Sequence, residues 1–287
     1  MVQAIIQGVL LGGLYASVGV GMSMIFGIAK ITNLAHGDFL ILAAYLSQLF
    51  MTISGVNPFV SLLIVVPVMF FIGYAIQSTL LNKVLNRGNE PPLLVTFGIS
   101  IIIQNLLLYF FKANTQRLQT PMLLQSITIR NTIRIPIMFL IACLAGVVII
   151  LVLSFYLNRT YMGRAIRATS DDIGAAQLMG VNIKNIYSIA MGIAMLTAGI
   201  TGILIGVLYS FTPTTGSTYL IIAFAVVVIG GIGSINGTLL AGFIFGLAQA
   251  LGGQFLGVAY QQLIAYLILL IMLIFRPQGL MSKGAGA

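Results

Sequence analysis

Long apolar stretches without a charged residue recur along the whole chain. The first, from Val2 to Ala29, contains no Asp, Glu, Lys or Arg. A helix needs about 20 apolar residues to cross roughly 30 Å of hydrocarbon, where lipid offers the backbone no hydrogen-bonding partner. The pattern predicts an all-α transmembrane bundle of about eight or nine spans in one domain, residues 1–287. The predicted spans are 4–29, 38–53, 59–81, 93–111, 135–157, 188–211, 219–233, 237–256 and 260–275.

Two of these spans have unusual lengths and many glycines. The first is longer than the hydrocarbon requires and glycine-rich, so we expect it to be kinked or broken. The seventh is short and runs into Gly230, Gly231 and Gly233, which predicts a re-entrant or interrupted segment. Such breaks occur only where protein or water covers the loosened backbone. Glycine pairs four residues apart, such as Gly8/Gly12 and Gly242/Gly246, favour close helix packing.

The charge distribution predicts how the chain is oriented. The net charge is +9, which in a soluble protein would suggest nucleic acid, but the basic residues lie between apolar spans, as topology-setting loop charges do. If the N-terminus lies outside, nine basic residues fall inside and four outside, so we predict a cytoplasmic C-terminus and no nucleic-acid partner. The inner residues are Lys30, Lys83, Arg87, Arg159, Arg164, Arg167, Lys184, Arg276 and Lys283, and the outer ones are Lys112, Arg117, Arg130 and Arg134.

The predicted outer loop, residues 112–134, ends in an alternating pattern. Between Ser126 and Pro136, isoleucine alternates with threonine or arginine on both sides of Asn131. A period of two is typical of a strand, so the pattern predicts a small external hairpin at 126–136.

The predicted spans lack charged residues well inside their limits. A charge at mid-bilayer is costly and is usually kept for an ion path, a proton relay or a gating charge. This argues against an ion-coupled transporter. No lysine is followed by Ser or Thr, so the phosphate-binding loop G-x-x-x-x-G-K-[ST] is absent, and we predict no catalytic residue and no metal or cofactor in this chain. Neutral polar residues within spans, such as Gln104 and Asn105, either line a path or bridge helices; we favour bridging.

The longest predicted inner segment, residues 158–187, contains a short helix signature. Ser170 is the expected N-cap, Asp171 and Asp172 oppose the positive helix terminus, and Gly180 ends a helix of about nine residues. The helix would carry a small apolar surface suited to another protein's cleft; a solvated loop helix is the alternative. That surface consists of Ala175, Ala176, Leu178 and Met179.

Four blocks give the chain a family resemblance. They are Asn33 to Phe39 (NLAHGDF), Gly174-Ala-Ala-x-x-x-Gly180, Gly230 to Gly237 (GGIGSING) and Phe275 to Leu280 (FRPQGL). On these blocks the chain resembles the inner-membrane permeases of ABC importers, and most closely the LIV-type permeases of branched-chain amino acid importers. Gly174 stands where the general coupling motif E-A-A-x-x-x-G has glutamate, so the role of that carboxylate does not carry over.

The resemblance implies a multi-pass subunit of a bacterial-type inner membrane that works with partners. These are a second homologous permease, two ATP-binding subunits that hydrolyse ATP on the cytoplasmic side, and an external substrate-binding protein. The substrate would be a branched-chain or other neutral amino acid; urea, short-chain amides, and an ATP-independent channel or facilitator are the alternatives. The residues assigned to coupling with the ATPase are Arg164, Asp171, Asp172, Ala175, Ala176 and Gly180.

His36 and Asp38 flank Gly37 where the first predicted span meets the second. One interpretation is structural: Asp38 caps the second span, and His36 donates to that carboxylate or to a backbone carbonyl. The other is a gate or a substrate contact. We favour the structural turn, and keep as candidate gate or pathway residues the set Asn33, His36, Gly37, Asp38, Gln104 and Asn105.

Overall fold

The structure is a computed structural model that describes residues 1–88, 90–129 and 133–281. Within these residues, eight helices are long and apolar enough to cross a bilayer, and a ninth apolar helix is shorter. The predicted all-α bundle of eight or nine spans is confirmed. The helices are α1 (Val2–Ala29), α2 (His36–Ser54), α3 (Pro58–Ile76), α4 (Asn82–Val84), α5 (Glu90–Phe111), α6 (Ile137–Arg159), α7 (Tyr161–Asp171), α8 (Ile173–Leu178), α9 (Ile183–Leu208), α10 (Gly216–Gly230), α11 (Ile235–Leu256) and α12 (Gln261–Phe275).

Short irregular turns extend or join these helices. A π-helical turn at Gln77–Leu81 connects α3 to α4, so that one continuous apolar rod runs from 58 to 84. Insertion of an extra residue into a helix in this way is rare and local. Single 3₁₀ turns cover Leu85–Arg87, Pro121–Leu124 and Val258–Tyr260.

Two paired strands form where the hairpin was predicted; its external position stays a prediction. Strand β1 (Ser126–Ile129) pairs antiparallel with β2 (Ile133–Pro136), in the register Ser126 to Pro136. The tip, residues 130–132, lies outside the described residues. Gln3 Nε2 donates to the carbonyl of Arg134 at 2.7 Å, so the start of α1 is fastened to the hairpin. We call this end of the bundle the hairpin end, and the opposite end, where α7 and α8 lie, the α8 end.

Helix α1 is the central rod of the bundle and is unbroken, contrary to the expected interruption. It packs antiparallel on α11 along glycines of both helices. A Cβ on Gly12 would lie 2.6 Å from Cα of Phe243, and one on Gly242 would lie 2.6 Å from the Cβ of Ala16. Real side chains do not tolerate such distances, so the glycines permit a backbone approach that larger residues would prevent.

Helix α2 begins deep inside the bundle. Lys30 adopts a left-handed conformation (φ 54°) just after α1, and residues 30–35 then run back along it. His36, the first residue of α2, has Nε2 3.0 Å from the carbonyl of Val18. Val18 precedes the end of α1 by 11 residues, a rise of about 16 Å. The start of α2 is therefore level with the middle of α1, not at a membrane boundary as the span pattern suggested.

Helix α10 also begins inside the bundle and accounts for the short seventh span. The segment 209–215 enters from the hairpin end, where Gln116 and Phe211 exchange two backbone hydrogen bonds of 2.9 Å. The helix starts at Gly216, directly against Gly37 of α2. It ends near the α8 end, where Leu280 N–H donates to the carbonyl of Ile229 at 2.9 Å. This segment is interrupted rather than re-entrant: it enters at the hairpin end without helical structure and continues to the α8 end as a helix, which begins three residues earlier than the pattern indicated.

The hairpin and α8 should be labelled from opposite sides of the membrane. Ile127 in β1 and Leu178 in α8 are both exposed and lie at opposite ends of α1. In a Cys143→Ser background, a cysteine at Ile127 should react with an impermeant maleimide added outside intact cells. A cysteine at Leu178 should react only after the cells are opened. Labelling of both from the same side would contradict the predicted orientation.

Candidate functional site

A polar cluster lies at the middle of the bundle, which we call the Asp38 cluster (Asp38, Ser100 and Gln104). Asp38 Oδ2 accepts a hydrogen bond of 2.6 Å from Ser100 Oγ, and Oδ1 accepts one of 3.0 Å from Gln104 Nε2. Ser100 and Gln104 lie one turn apart near the middle of α5. The side chain of Asp38 is only 3% exposed. A carboxylate is thus held by two neutral donors at mid-depth.

Two helices begin at this cluster. A side chain on Gly216, the first residue of α10, would collide with the Asp38 carboxylate, and one on Gly37 would collide with the carbonyl of Gly216. Glycine at both positions therefore lets the start of α10 lie against the start of α2. The N-terminus of a helix carries the positive end of its dipole. The two termini thus provide a local positive field in which a buried carboxylate is stabilised.

The predicted capping role of Asp38 is wrong. The N-cap of α2 is Ala35, and no side chain makes a capping hydrogen bond there. The turn is formed instead by Asn33, whose Oδ1 accepts from the Ala35 N–H at 3.0 Å and whose carbonyl accepts from the His36 N–H at 3.2 Å. Asp38 lies in the first turn of α2, and its oxygens accept from side chains of α5.

His36 bonds to a backbone carbonyl, one of the two partners expected for it. Its Nε2 lies 3.0 Å from the carbonyl of Val18, which calls for a proton on Nε2. The ring fits against α1 at Gly21, where a Cβ would lie 3.1 Å from His36 Cε1. Within the described residues, His36 Nδ1 and Asn33 Nδ2 are buried and have no hydrogen-bonding partner.

The structure brings Asp38 and Gln104 together beside Gly37, turns the His36 ring towards α1, and leaves Asn105 apart. Asn105 is exposed, and its Nδ2 donates to the carbonyl of Ile101 in the same helix at 2.8 Å. Ser100 was not among the predicted site residues. Its position four residues before Gln104, and therefore on the same face of α5, was the signal that could have identified it.

Two helices, α7 and α8, form at the α8 end of the bundle, where the sequence predicted a single helix. Asp172, not Ser170, is the N-cap of α8, and its Oδ1 accepts from the Ala175 N–H at 3.0 Å. Ser170 lies within α7, and its Oγ donates to the carbonyl of Gly27 at 2.6 Å. Gly180 has a φ of +80° and follows α8, as expected of a left-handed stop. The pair is thus fastened to the end of α1.

Helix α8 has one buried and one exposed side. Ala176 is 4% exposed and packs into the bundle, whereas Leu178 and Met179 are 90% and 84% exposed. The remaining assigned residues lie nearby: Arg164 on the exposed side of α7, donating to the carbonyl of Arg159 at 3.2 Å, and Asp171 at the end of that helix. The exposed pair of apolar side chains forms a small projecting surface.

Cavities open at both ends of the bundle. One of about 440 Å³ lies at the hairpin end and is lined mainly by neutral polar side chains, among them Gln48, Thr52 and Ser210. Another of about 610 Å³ lies at the α8 end, between the end of α1, α7 and the segment 232–236. Along the long axis of the bundle, the Asp38 cluster lies between the two openings.

The bundle thus has two helices that begin at mid-depth, a polar cluster at that depth and cavities at both ends. The family model described as "Branched-chain amino acid transport system / permease component" matches residues 4–274. The chain therefore belongs to this family of ABC-transporter permeases, which confirms the LIV-type resemblance.

Similar proteins match over nearly the whole chain. The chain is 27% identical to the high-affinity branched-chain amino acid transport system permease protein BraD of Pseudomonas aeruginosa, over 98% of this chain and 95% of BraD. It is also 27% identical to LivH of Escherichia coli K12, with the same coverage of both chains. A solved structure, PsaBC of Streptococcus pneumoniae in complex with Fab, shares the fold with a TM-score of 0.50 and 15% identity, over 96% of this chain and 91% of that one.

The contact between α2 and α10 should tolerate no added side chain. We expect Gly216→Ala to lower the melting temperature of the purified protein in detergent, because overpacking typically costs about 1–3 kcal/mol. Gly98→Ala in α5 is the matched control, since nothing lies within 4 Å of a Cβ there; it should leave the melting temperature unchanged or raise it. Equal melting temperatures for Gly216→Ala and the parent protein would contradict the packing described.

Proposed function

We propose that this chain forms, with a second homologous permease, the pathway by which an ABC importer carries branched-chain or other neutral amino acids. The family match over residues 4–274 is the observation that carries the proposal. BraD and LivH, which match over nearly their whole lengths, are named as branched-chain amino acid permeases. Neither urea nor a short-chain amide appears in these names.

The interior of the bundle suits a substrate without net charge. Among the described residues, Asp38 is the one Asp, Glu, Lys or Arg side chain that is buried. The polar groups elsewhere in the bundle are hydroxyls and amides, such as Ser17, Ser47 and Thr201. An amino acid with an apolar side chain is a zwitterion without net charge, and its two ionised groups each need a partner when they leave water.

The energy for transport would come from separate subunits. We infer that α7 and α8 dock on an ATP-binding subunit, because Leu178 and Met179 project from a capped, anchored helix pair at the end of the bundle. Apolar side chains exposed in this way are typical of a protein interface. This end would then face the cytoplasm, and an external substrate-binding protein would deliver the amino acid at the hairpin end.

The proposed function predicts amino acid uptake that depends on ATP. The permease should be assembled with its partner permease, ATP-binding subunits and substrate-binding protein in proteoliposomes, and uptake of labelled leucine, isoleucine and valine measured. Uptake should require ATP and the binding protein, and excess urea or acetamide should not compete. Uptake that continues with an ATP-binding subunit unable to hydrolyse ATP would identify a facilitator and contradict the proposal.

Coupling should be lost when the projecting surface of α8 is made polar. Leu178→Asp and Met179→Asp together should abolish co-purification of the ATP-binding subunit, because both side chains are exposed and their replacement leaves the bundle core intact. Ile127→Asp adds a charge at an exposed position of the hairpin end and serves as the matched control. Normal co-purification of the double variant would show that α8 is not the contact.

A further inference from the structure

Among the residues that the structure describes, no positively charged side chain pairs with the buried Asp38 carboxylate. Both of its hydrogen-bonding partners, Ser100 and Gln104, are neutral. A charged side chain at mid-bilayer is costly, and such residues are usually retained for a function. A bridge between α2 and α5 would need no charge, because the neutral amide of asparagine also accepts hydrogen bonds.

The Asp38 carboxylate can also accept more hydrogen bonds than these two residues donate to it. Two carboxylate oxygens offer about four lone-pair positions, and an ammonium group offers three N–H donors. Ser100 occupies one oxygen of Asp38 and Gln104 the other, each with one hydrogen bond. An ammonium group can therefore bind the same carboxylate while both protein donors stay in place.

A row of polar side chains on α2 connects the Asp38 cluster to the cavity at the hairpin end. Asp38, Tyr45, Gln48 and Thr52 recur at intervals of seven, three and four residues, which places them on one face of the helix. Gln48 and Thr52 line the cavity. The row therefore leads from the opening to the carboxylate.

One aromatic layer separates the cavity from the carboxylate. Tyr45 packs against Phe111 and Phe211, with ring centroids 4.5 and 4.9 Å apart. Tyr45 follows Asp38 by seven residues on α2, as Phe111 follows Gln104 on α5, so the layer lies about 10 Å from the cluster along both helices. The Tyr45 hydroxyl is buried and has no hydrogen-bonding partner among the described residues. A solute that passed this layer would meet the Asp38 cluster next.

We propose that Asp38 binds the α-ammonium group of the amino acid as it crosses the bundle. This assignment rests on the proposed function, since it takes the transported solute to be an amino acid. The carboxylate of that amino acid would face the N-termini of α2 and α10, because broken helices at mid-membrane commonly direct their positive ends at anionic groups.

The test separates the effect of charge on uptake from the effect of side-chain size at position 38, in the assembled complex. Asp38→Asn keeps the size and removes the charge, whereas Asp38→Glu keeps the charge and adds one methylene. Leucine uptake should fall by about 30-fold or more in Asp38→Asn, as expected when one member of a buried charge pair is lost, and Asp38→Glu should retain more uptake than Asp38→Asn. Gly98→Ala, which lies on the same helix as Ser100 but outside the cluster and has open space around its Cβ, is the control and should transport like the parent.

A second measurement reports on the carboxylate directly. Dicyclohexylcarbodiimide, which reacts with carboxyl groups in apolar surroundings, should label Asp38 in the complex. Leucine and 3-methylbutylamine, which both carry an ammonium group, should slow this labelling, and 4-methylpentanoate, which lacks one, should not. Equal protection by all three compounds would overturn the ammonium assignment.

The outcomes separate the two proposals. If the parent complex carries leucine and Asp38→Asn carries it equally well, the ammonium assignment is wrong and the proposed function stands. If Asp38→Asn carries more leucine than Asp38→Glu, size rather than charge matters at this position, and the assignment is also wrong. If the parent complex carries no amino acid at all, the proposed function itself is overturned.

Discussion

The contact between Gly37 and Gly216 is the interaction on which the interior of this permease depends. It allows two helices to begin next to one another at the middle of the bundle, where lipid could not satisfy their first N–H groups. Neither α2 nor α10 could start at this depth if a larger side chain kept the two backbones apart. The position of the Asp38 carboxylate, and of its donors on α5, follows from that arrangement.

The helical bundle could be predicted from the sequence because apolar length is a direct consequence of bilayer thickness. The depth at which each helix begins could not be predicted, because hydropathy records only which residues are apolar. A pattern of spans places every connection at the membrane surface. Residues 30–35 run from the end of α1 back into the bundle, so Asp38, which the pattern placed at a span end, lies beside the middle of α1 and α5. Likewise, the break before α10 was expected from its length, but its contact with α2 depends on tertiary packing.

The residue that caps α8 could be predicted only in part, for a similar reason. Ser170, Asp171 and Asp172 are all good capping residues, and their order alone does not select one. The docking of Ser170 on the carbonyl of Gly27 extends α7 and leaves Asp172 to cap α8. Gly174 adjoins this cap, since a Cβ there would lie 3.3 Å from Asp172 Oδ1. Glycine at the position where the general coupling motif has glutamate therefore leaves room for the capping carboxylate.

The close packing of α1 on α11 along their glycines restricts how these two helices can move. Two helices whose backbones touch along several turns resist sliding, because any shift would bring side chains into the positions that glycine leaves empty. Helix α5 makes no such glycine contact, and half of its large apolar side chains face outward, including Leu94, Tyr109 and Phe110. It carries both donors to Asp38 as well as Phe111. A tilt of α5 against the rigid pair α1 and α11 would break both its hydrogen bonds to Asp38 and the contact of Phe111 with Tyr45 in a single movement.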